Sequence, residues 1–221
     1  PLLLGAGEGE CFIASDVAAL LPVTRNVVYL DEGDVAEVSL SGYRVFDASG
    51  RSVTRPVQVS TLSNESVELG EYSHYMQKEI HEQPQALADT LEGVCNAQSL
   101  VPGIFGAEAA ALFGKVDNLL ILACGTSYHA GMVARYWLEE IAALPCSVEI
   151  ASEYRYRTSV ARPGTLVVTI SQSGETADTL AALNHAKSLG HDMTLSICNV
   201  PESALVRLSR LRLLTRAGPE I

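Results

Sequence analysis

The sequence contains no apolar run approaching the roughly 20 residues that a membrane-spanning helix requires, and no basic segment leading into an apolar one at its start. Neither a transmembrane helix nor a secretory signal is predicted. Basic residues are scarce: 15 lysines and arginines stand against 26 aspartates and glutamates, giving 15 − 26 = −11 at pH 7. A surface of that sign repels nucleic acid and anionic lipid, so no nucleic-acid or membrane partner is expected. An anionic ligand would need a local pocket of N–H groups and hydroxyls. The five cysteines, Cys11, Cys95, Cys124, Cys146 and Cys198, form no CxxC pair. An odd, scattered set argues for reduced thiols in a cytoplasmic protein rather than for a disulfide framework or a zinc site. His74, His81, His129, His185 and His191 show no HExxH or comparable spacing, so no metal is expected. Neither GxGxxG nor GxxxxGK[ST] occurs, which argues against a nucleotide cofactor.

What is present is a globular composition. Of 221 residues, 48% are hydrophobic, and the mean hydropathy is +0.18. That length can bury a sizeable core in one large domain or two small ones. The start at Pro1 and the end in "RAGPEI" suggest a piece of a longer protein.

The two halves differ in rhythm. Over residues 1–60, short β-prone segments ("PLLLGAG", "CFIASD", "NVVYLD", "DVAEVSL", "YRVFDASG") are separated by turn residues, with a hairpin expected about Ser41-Gly42. This predicts antiparallel sheet. Residues 60–71 are polar and aperiodic, as in a linker. Tyr75, Met76, Ile80, Leu87 and Leu91 then recur near helical spacing, with Pro84 expected to break or kink the helix. From about residue 90, apolar strands alternate with helices: "NLLILA" (118–123), "CSVEI" (146–150), "TLVVTI" (165–170), "MTLSICN" (193–199) and "LRLLT" (211–215). Helices are predicted over 128–143 and up to Gly190, whose type suits a helix stop. Such alternation implies a parallel sheet with helices on both faces, holding 119–123 and 165–170 together. Trp137, Val133, Ile141 and Leu144 are predicted to form the buried stripe of one helix. "EYRYR" (153–157) reads as a surface helix rather than a nucleic-acid patch.

In open parallel sheets ligands bind at the carboxyl ends of strands, beside helix N-termini. Two such junctions here are rich in hydroxyls: Cys124-Gly125-Thr126-Ser127 and Ser171-Gln172-Ser173-Gly174-Glu175-Thr176. The glycines permit tight turns and close approach of the backbone to a ligand. The N–H groups of a helix start, with their partial positive charge, suit a phosphate, and serine and threonine add donors without charge. The competing reading is N-capping, which favours the same residue types without any ligand. Two such loops on successive crossovers favour a small phosphorylated metabolite. Cys124, with His129 five residues on, is weighed as a thiol nucleophile and read instead as a small half-buried residue at a strand end.

"ILACGTSYHAG", "VEIASEYRYR", "TISQSGETADTL" and "SICNV", in this order, resemble the glucosamine-6-phosphate synthase family, the isomerizing glutamine–fructose-6-phosphate aminotransferases. "HYMQKEIHEQP" resembles the family's interdomain connector, and "GEGECFIASDVAALLP" and "VVYLDEGDVAEV" the end of its glutaminase domain. The resemblance covers nearly the whole chain. It implies an α/β fold in which a parallel sheet of the sugar-isomerase (SIS) type follows an antiparallel, sheet-rich segment of an N-terminal-nucleophile glutaminase domain. The implied divisions are 1–70 for the end of the glutaminase domain, 71–90 for the connector and 91–221 for a first SIS subdomain. The implied reaction converts fructose 6-phosphate and glutamine to glucosamine 6-phosphate and glutamate, in a homo-oligomer joined through SIS domains. By the same resemblance Thr126, Ser127, Ser171, Gln172, Ser173 and Thr176 bind the sugar phosphate, and no cofactor or metal takes part. The nucleophilic cysteine, the enolising glutamate, the ring-opening histidine and the Schiff-base lysine are expected outside these 221 residues, leaving no catalytic residue among them. Two other readings are a non-catalytic SIS module that senses a sugar phosphate and a stand-alone aldose–ketose isomerase. The strand-rich segment 1–70 speaks against both.

Overall fold

The computed structural model describes residues 2–7, 9–15, 17, 19–39, 42–60, 69–94 and 100–218. The chain divides into two compact units, Pro1–His81 with Gly218–Ile221, and Glu82–Ala217.

The first unit is antiparallel, as the alternation over residues 1–60 predicts. β1 (Leu3–Ala6), β2 (Cys11–Ala14), β3 (Asn26–Tyr29) and β7 (Val57–Val59) form one sheet in the order β2-β1-β3-β7. β4 (Val35–Ser39), β5 (Gly42–Phe46) and β6 (Ser52–Val53) form a second. The β4–β5 ladder closes on the pair Ser39–Gly42, where the hairpin was expected; its tip, with Ser41, lies outside the described residues. Side chains alternate across β1 and β3. Leu3 and Val27 pack with Leu20 on one face, while Leu4 and Val28 meet Val45 on the other. The Arg55 guanidinium joins β4's approach by two bonds to Asp34, both 2.8 Å. That guanidinium, first among several influences, holds the Asp34 carboxyl below its usual pKa. Most of the polar stretch 60–71 lies outside the described residues.

α1 (Tyr75–Val94) continues through Pro84, where a break or kink was expected, so the helix is not broken there. Proline removes the donor to the Ile80 carbonyl, but this helix is exposed at Met76, Ile80, Leu87 and Leu91, so water can satisfy the freed group.

The second unit is built on one parallel sheet. β8 (Asn118–Ala123), β9 (Cys146–Ile150), β10 (Thr165–Ser171), β11 (Met193–Cys198) and β12 (Leu211–Leu214) lie in the order β12-β11-β10-β8-β9. β8 and β10 are direct neighbours, with Leu119 beside Leu166 and Ala123 beside Ile170. The period of two sorts the apolar residues to opposite faces. Leu119, Ile121, Leu166 and Val168 meet α2 (Ala109–Phe113) and α3 (Gly125–Ala142). Leu120, Leu122 and Val167 meet α4 (Ala151–Tyr154), α5 (Ala177–Ser188) and α6 (Ala204–Leu208). Helices cover both faces, as the continuous apolar strands require.

Two expectations fail within this unit. Of the stripe expected on Val133, Trp137, Ile141 and Leu144, the first three are exposed, at 50%, 61% and 81%, and only Leu144, just past α3, packs against the core. The helix instead packs through Ala134 and Leu138 and through Gly131, where an added Cβ would stand 3.0 Å from Ile121 Cγ2 and 3.2 Å from Val148 Cγ1. Small residues let the helix axis approach the strands closely, and the large apolar side chains are left on the outer face. The segment "EYRYR" is likewise no surface helix. α4 is a single turn whose Tyr154 is 1% exposed, while Arg155 pairs with Asp178 at 2.6 Å and Arg157 with Glu149. Among the described residues no helix is long and apolar enough to cross a membrane, and Cys11, Cys124, Cys146 and Cys198 are free thiols.

Candidate functional site

The site arises where the chain reverses its direction of winding. From β8 it passes to β9 on one side, then returns to place β10 on β8's other flank. α3 leaves β8 toward one face of the sheet, and α5 leaves β10 toward the opposite face. The carboxyl ends of two adjacent strands therefore part around a crevice, the place where doubly wound sheets bind ligands. Both hydroxyl-rich stretches of the sequence stand at that crevice.

The first, Cys124–Ser127, is a sharp entry into α3. Cys124 is extended (φ −124°, ψ 159°), and Gly125 has a φ of +56° at the first helical position. Thr126 is exposed and Ser127 half-buried. Neither hydroxyl has a partner among the described residues. The first-turn N–H groups lack intrahelical acceptors by the geometry of any α-helix. Cys124 is half-buried and accepts a long contact from Thr179 Oγ1 at 3.9 Å, which ties the end of β8 to the first turn of α5. His129 is exposed and lies edge-on to Tyr128. Among the described residues no hydrogen bond joins it to Cys124, so the two do not form a nucleophile–base pair.

The second, Ser171–Thr176, is a structured loop. Ser171 ends β10 on the face that carries α5 and is 6% exposed. Its Oγ accepts from Gly174 N at 3.0 Å and lies 3.1 Å from Thr176 Oγ1. Ser173 Oγ accepts from Glu175 N at 3.2 Å. Thr176 is the N-cap of α5, yet its hydroxyl makes no capping bond to the helix. The capping explanation therefore does not account for Thr176. Ser171 and Ser173 order the loop's own backbone and keep hydroxyl protons to give elsewhere.

The segment after β11 holds this loop from behind. Gln172 O accepts from Asn199 N at 3.1 Å, and Gly174 O from Leu205 N at 3.0 Å. Glu175 Oε1 accepts from Ala204 N at 2.8 Å, capping α6. Gly174 is required twice over. Its φ is +66°, and a Cβ there would meet Ser203 Oγ at 2.1 Å and Cys198 Sγ at 2.7 Å. Sequence reasoning missed these supporting residues, Glu175, Cys198, Ser203 and Thr179. Only the position of Ser203 just before a short apolar stretch hints at a buried helix start.

The crevice thus combines two helix N-termini with free or donor-ready hydroxyls, and neither loop carries a basic residue of its own. Such a site can hold an oxyanion by dipoles and hydrogen bonds. Among the described residues no cluster of His, Cys, Asp and Glu could hold a metal.

Comparison with known proteins shows what this chain is similar to. The SIS domain model matches residues 112–221. Over all 221 residues the chain is 60% identical to a glutamine–fructose-6-phosphate aminotransferase (isomerizing) of Xanthomonas campestris pv. campestris, spanning 36% of that protein. An enzyme of the same name from Neisseria meningitidis is 57% identical, again with all of this chain and 36% of the relative covered. Among solved structures, the C-terminal domain of glucosamine-fructose-6-phosphate aminotransferase from Francisella tularensis superposes with a TM-score of 0.68 at 49% identity, covering 70% of this chain and 43% of that one. The chain carries an SIS domain and is similar over its whole length to isomerizing glutamine–fructose-6-phosphate aminotransferases, of whose length it spans about a third.

Proposed function

We propose that the crevice between the β8–α3 and β10–α5 loops binds the phosphate of fructose 6-phosphate and glucosamine 6-phosphate. Thr126, Ser127, Ser171, Gln172, Ser173 and Thr176 make the contacts, and the chain serves an enzyme that makes glucosamine 6-phosphate and glutamate from fructose 6-phosphate and glutamine. In this reading residues 1–70 are the end of a glutaminase domain, 71–90 a connector and 91–221 a first SIS subdomain of a cytoplasmic enzyme. No catalytic role is assigned to a residue of this chain. The relatives' names support the substrate pair. The exposed apolar face of α3, with Val133, Tyr136, Trp137 and Ile141, supports association of SIS domains into a homo-oligomer.

The observation that carries the proposal is the hydroxyl arrangement of the second loop. Ser171 and Ser173 each accept a backbone N–H, which polarises their O–H bonds for donation onward. One proton is shared between Ser171 and Thr176, and the remaining hydroxyl protons of this trio have no acceptor among the described residues. A doubly charged phosphate would supply such an acceptor.

The test is a titration with fructose 6-phosphate, in the full-length enzyme, of wild type and Ser173→Ala, alongside melts without ligand. A hydrogen bond to a charged group contributes roughly 1.5–3 kcal/mol, so affinity should fall about 10- to 100-fold. Unphosphorylated fructose should bind weakly to both forms and hardly differ. Equal affinity for fructose 6-phosphate with a lowered melting temperature would leave the loop a purely structural feature.

A further inference from the structure

The sheet's opposite end holds a second concavity. A cavity of about 330 Å³ lies where β8 and β10 begin, lined among others by Asn118, Ser147, Arg157, Thr158, Arg162 and His191. The phosphate-loop crevice lies past the far ends of the same strands. Six residues of strand separate the two, on the order of 20 Å.

Three features distinguish this cavity from an ordinary surface dent. First, His191 is 7% exposed and lines it, yet its ring has no hydrogen-bond partner among the described residues. Among the described residues no fully buried side-chain nitrogen or oxygen lacks a partner, so the unpartnered ring nitrogens keep access to solvent through the cavity, where a ligand can reach them. Second, the charged lining residues other than His191 are Glu149, Arg157 and Arg162. They sum to +1 in a chain of −11. Arg157 is consumed by Glu149, with Nε donating to Oε2 at 2.8 Å, whereas the Arg162 guanidinium has no carboxylate partner among the described residues. Third, Thr158 and Ser147 add hydroxyls whose side chains bond to nothing described. The nearby acidic groups are directed elsewhere. Asp192 is 80% exposed and lies 3.8 Å from Arg210, and Asp117 packs against Gly164.

We propose that this cavity is a second, separate site for a small anion, a phosphate ester or carboxylate carrying hydroxyl groups, held by Arg162 and the His191 ring. Arg162 takes the anionic end, in the forked geometry that suits both oxyanions. His191, Ser147 and Thr158 take the ligand's hydroxyls. Burial pushes the His191 pKa down, with Asp192 opposing, so the ring is neutral near pH 7 and offers one donor and one acceptor. That matches a hydroxyl better than a second charge. Because the site shares β8 and β10 with the phosphate-loop crevice, an anion bound there would act on the strands that position both loops.

NMR of the 221-residue chain tests this directly. The His191 ring and Thr165 amide report on the cavity, and the Gly174 amide reports on the loop crevice. Inorganic phosphate is one probe and citrate the other, each raised to about 20 mM, well above the dissociation constant of a weak millimolar site. Saturable shifts at His191 and Thr165 are expected with at least one probe, and the better probe shows whether phosphate or carboxylate is preferred. Arg162→Gln, an exposed substitution, should weaken that response about 10-fold or more and leave the Gly174 response unchanged; Ser173→Ala should do the reverse. The proposal is overturned if His191 responds to neither probe, or if its response is linear and identical in Arg162→Gln. It is equally overturned if His191 shifts with protein concentration alone, since the cavity would then be covered by a second copy of the chain. Failure at His191 with binding at Gly174 leaves the sugar-phosphate reading standing, and the converse separates them in the other direction.

Discussion

The two loops at the crevice use the same residue types and have opposite mechanical character. Cys124–Ser127 is open: Gly125 has no heavy atom within 4 Å of a built Cβ, and the Thr126 and Ser127 hydroxyls bond to nothing described. Ser171–Thr176 is closed: its serines hold its own amides, and residues 198–205 hold it from behind. A site made of one rigid and one unencumbered half can fix an anion's position through the first and adapt to the rest of a ligand through the second. It also lowers the ordering cost of binding, since one half is already arranged. The contrast makes a sharp demand. Equivalent substitutions in the two loops should differ in stability while agreeing in ligand binding.

The largest difference is expected at the glycines. Gly174→Ala combines a left-handed φ with overlap on Ser203 and Cys198, and should destabilise the second unit by about 3 kcal/mol. Gly125→Ala has the same backbone penalty but open space, and should cost about 1 kcal/mol or less. Urea unfolding followed by Trp137 fluorescence measures both, because the chain's single tryptophan lies in Glu82–Ala217. Similar midpoints for the two variants would erase the distinction between the loops. Next come the hydroxyls. Ser171→Ala strands the buried Gly174 N–H and should cost about 2 kcal/mol. Thr126→Ala breaks no described bond and should stay within about 0.5 kcal/mol of wild type.

Both loops were legible in the sequence because their chemistry is local. A glycine among serines and threonines, between an apolar strand and a helix, carries the signal within six residues. The βα rhythm was legible for a similar reason, since strands buried on both faces read as unbroken apolar runs. What could not be read depends on residues far apart. Val133, Trp137 and Ile141 recur at helical spacing whether they face a core or solvent, and the choice of Gly131, Ala134 and Leu138 follows from how closely α3 approaches β8 and β9. β6 and β7, of two and three residues, are too short to show a period. The amino-edge cavity draws on Asn118, Ser147, Arg162 and His191, which share no motif. Glu175 sits inside a recognisable loop, but its partner lies 29 residues on.

Glu175 provides the finest test of the comparison, because the first loop has no counterpart to it. Ser203, the N-cap of α6, makes no side-chain capping bond, and the carboxylate of Glu175 takes the Ala204 N–H in its place. Glu175→Ala removes that acceptor and should cost about 1 kcal/mol, the ordinary worth of a helix cap. Glu175→Gln keeps an oxygen there and loses only the charge facing the helix start, so a few tenths of a kcal/mol are expected. Ligand binding should move the other way. Removing a negative charge from the rim of the proposed anion site weakens a repulsion, and at low ionic strength Glu175→Gln should bind fructose 6-phosphate about twofold more tightly, a gain that disappears in salt. If Glu175→Gln instead loses stability and affinity together, the carboxylate's charge is itself needed to hold the loop in shape. The closed loop would then owe its rigidity to that single ion–dipole contact rather than to the serine hydroxyls.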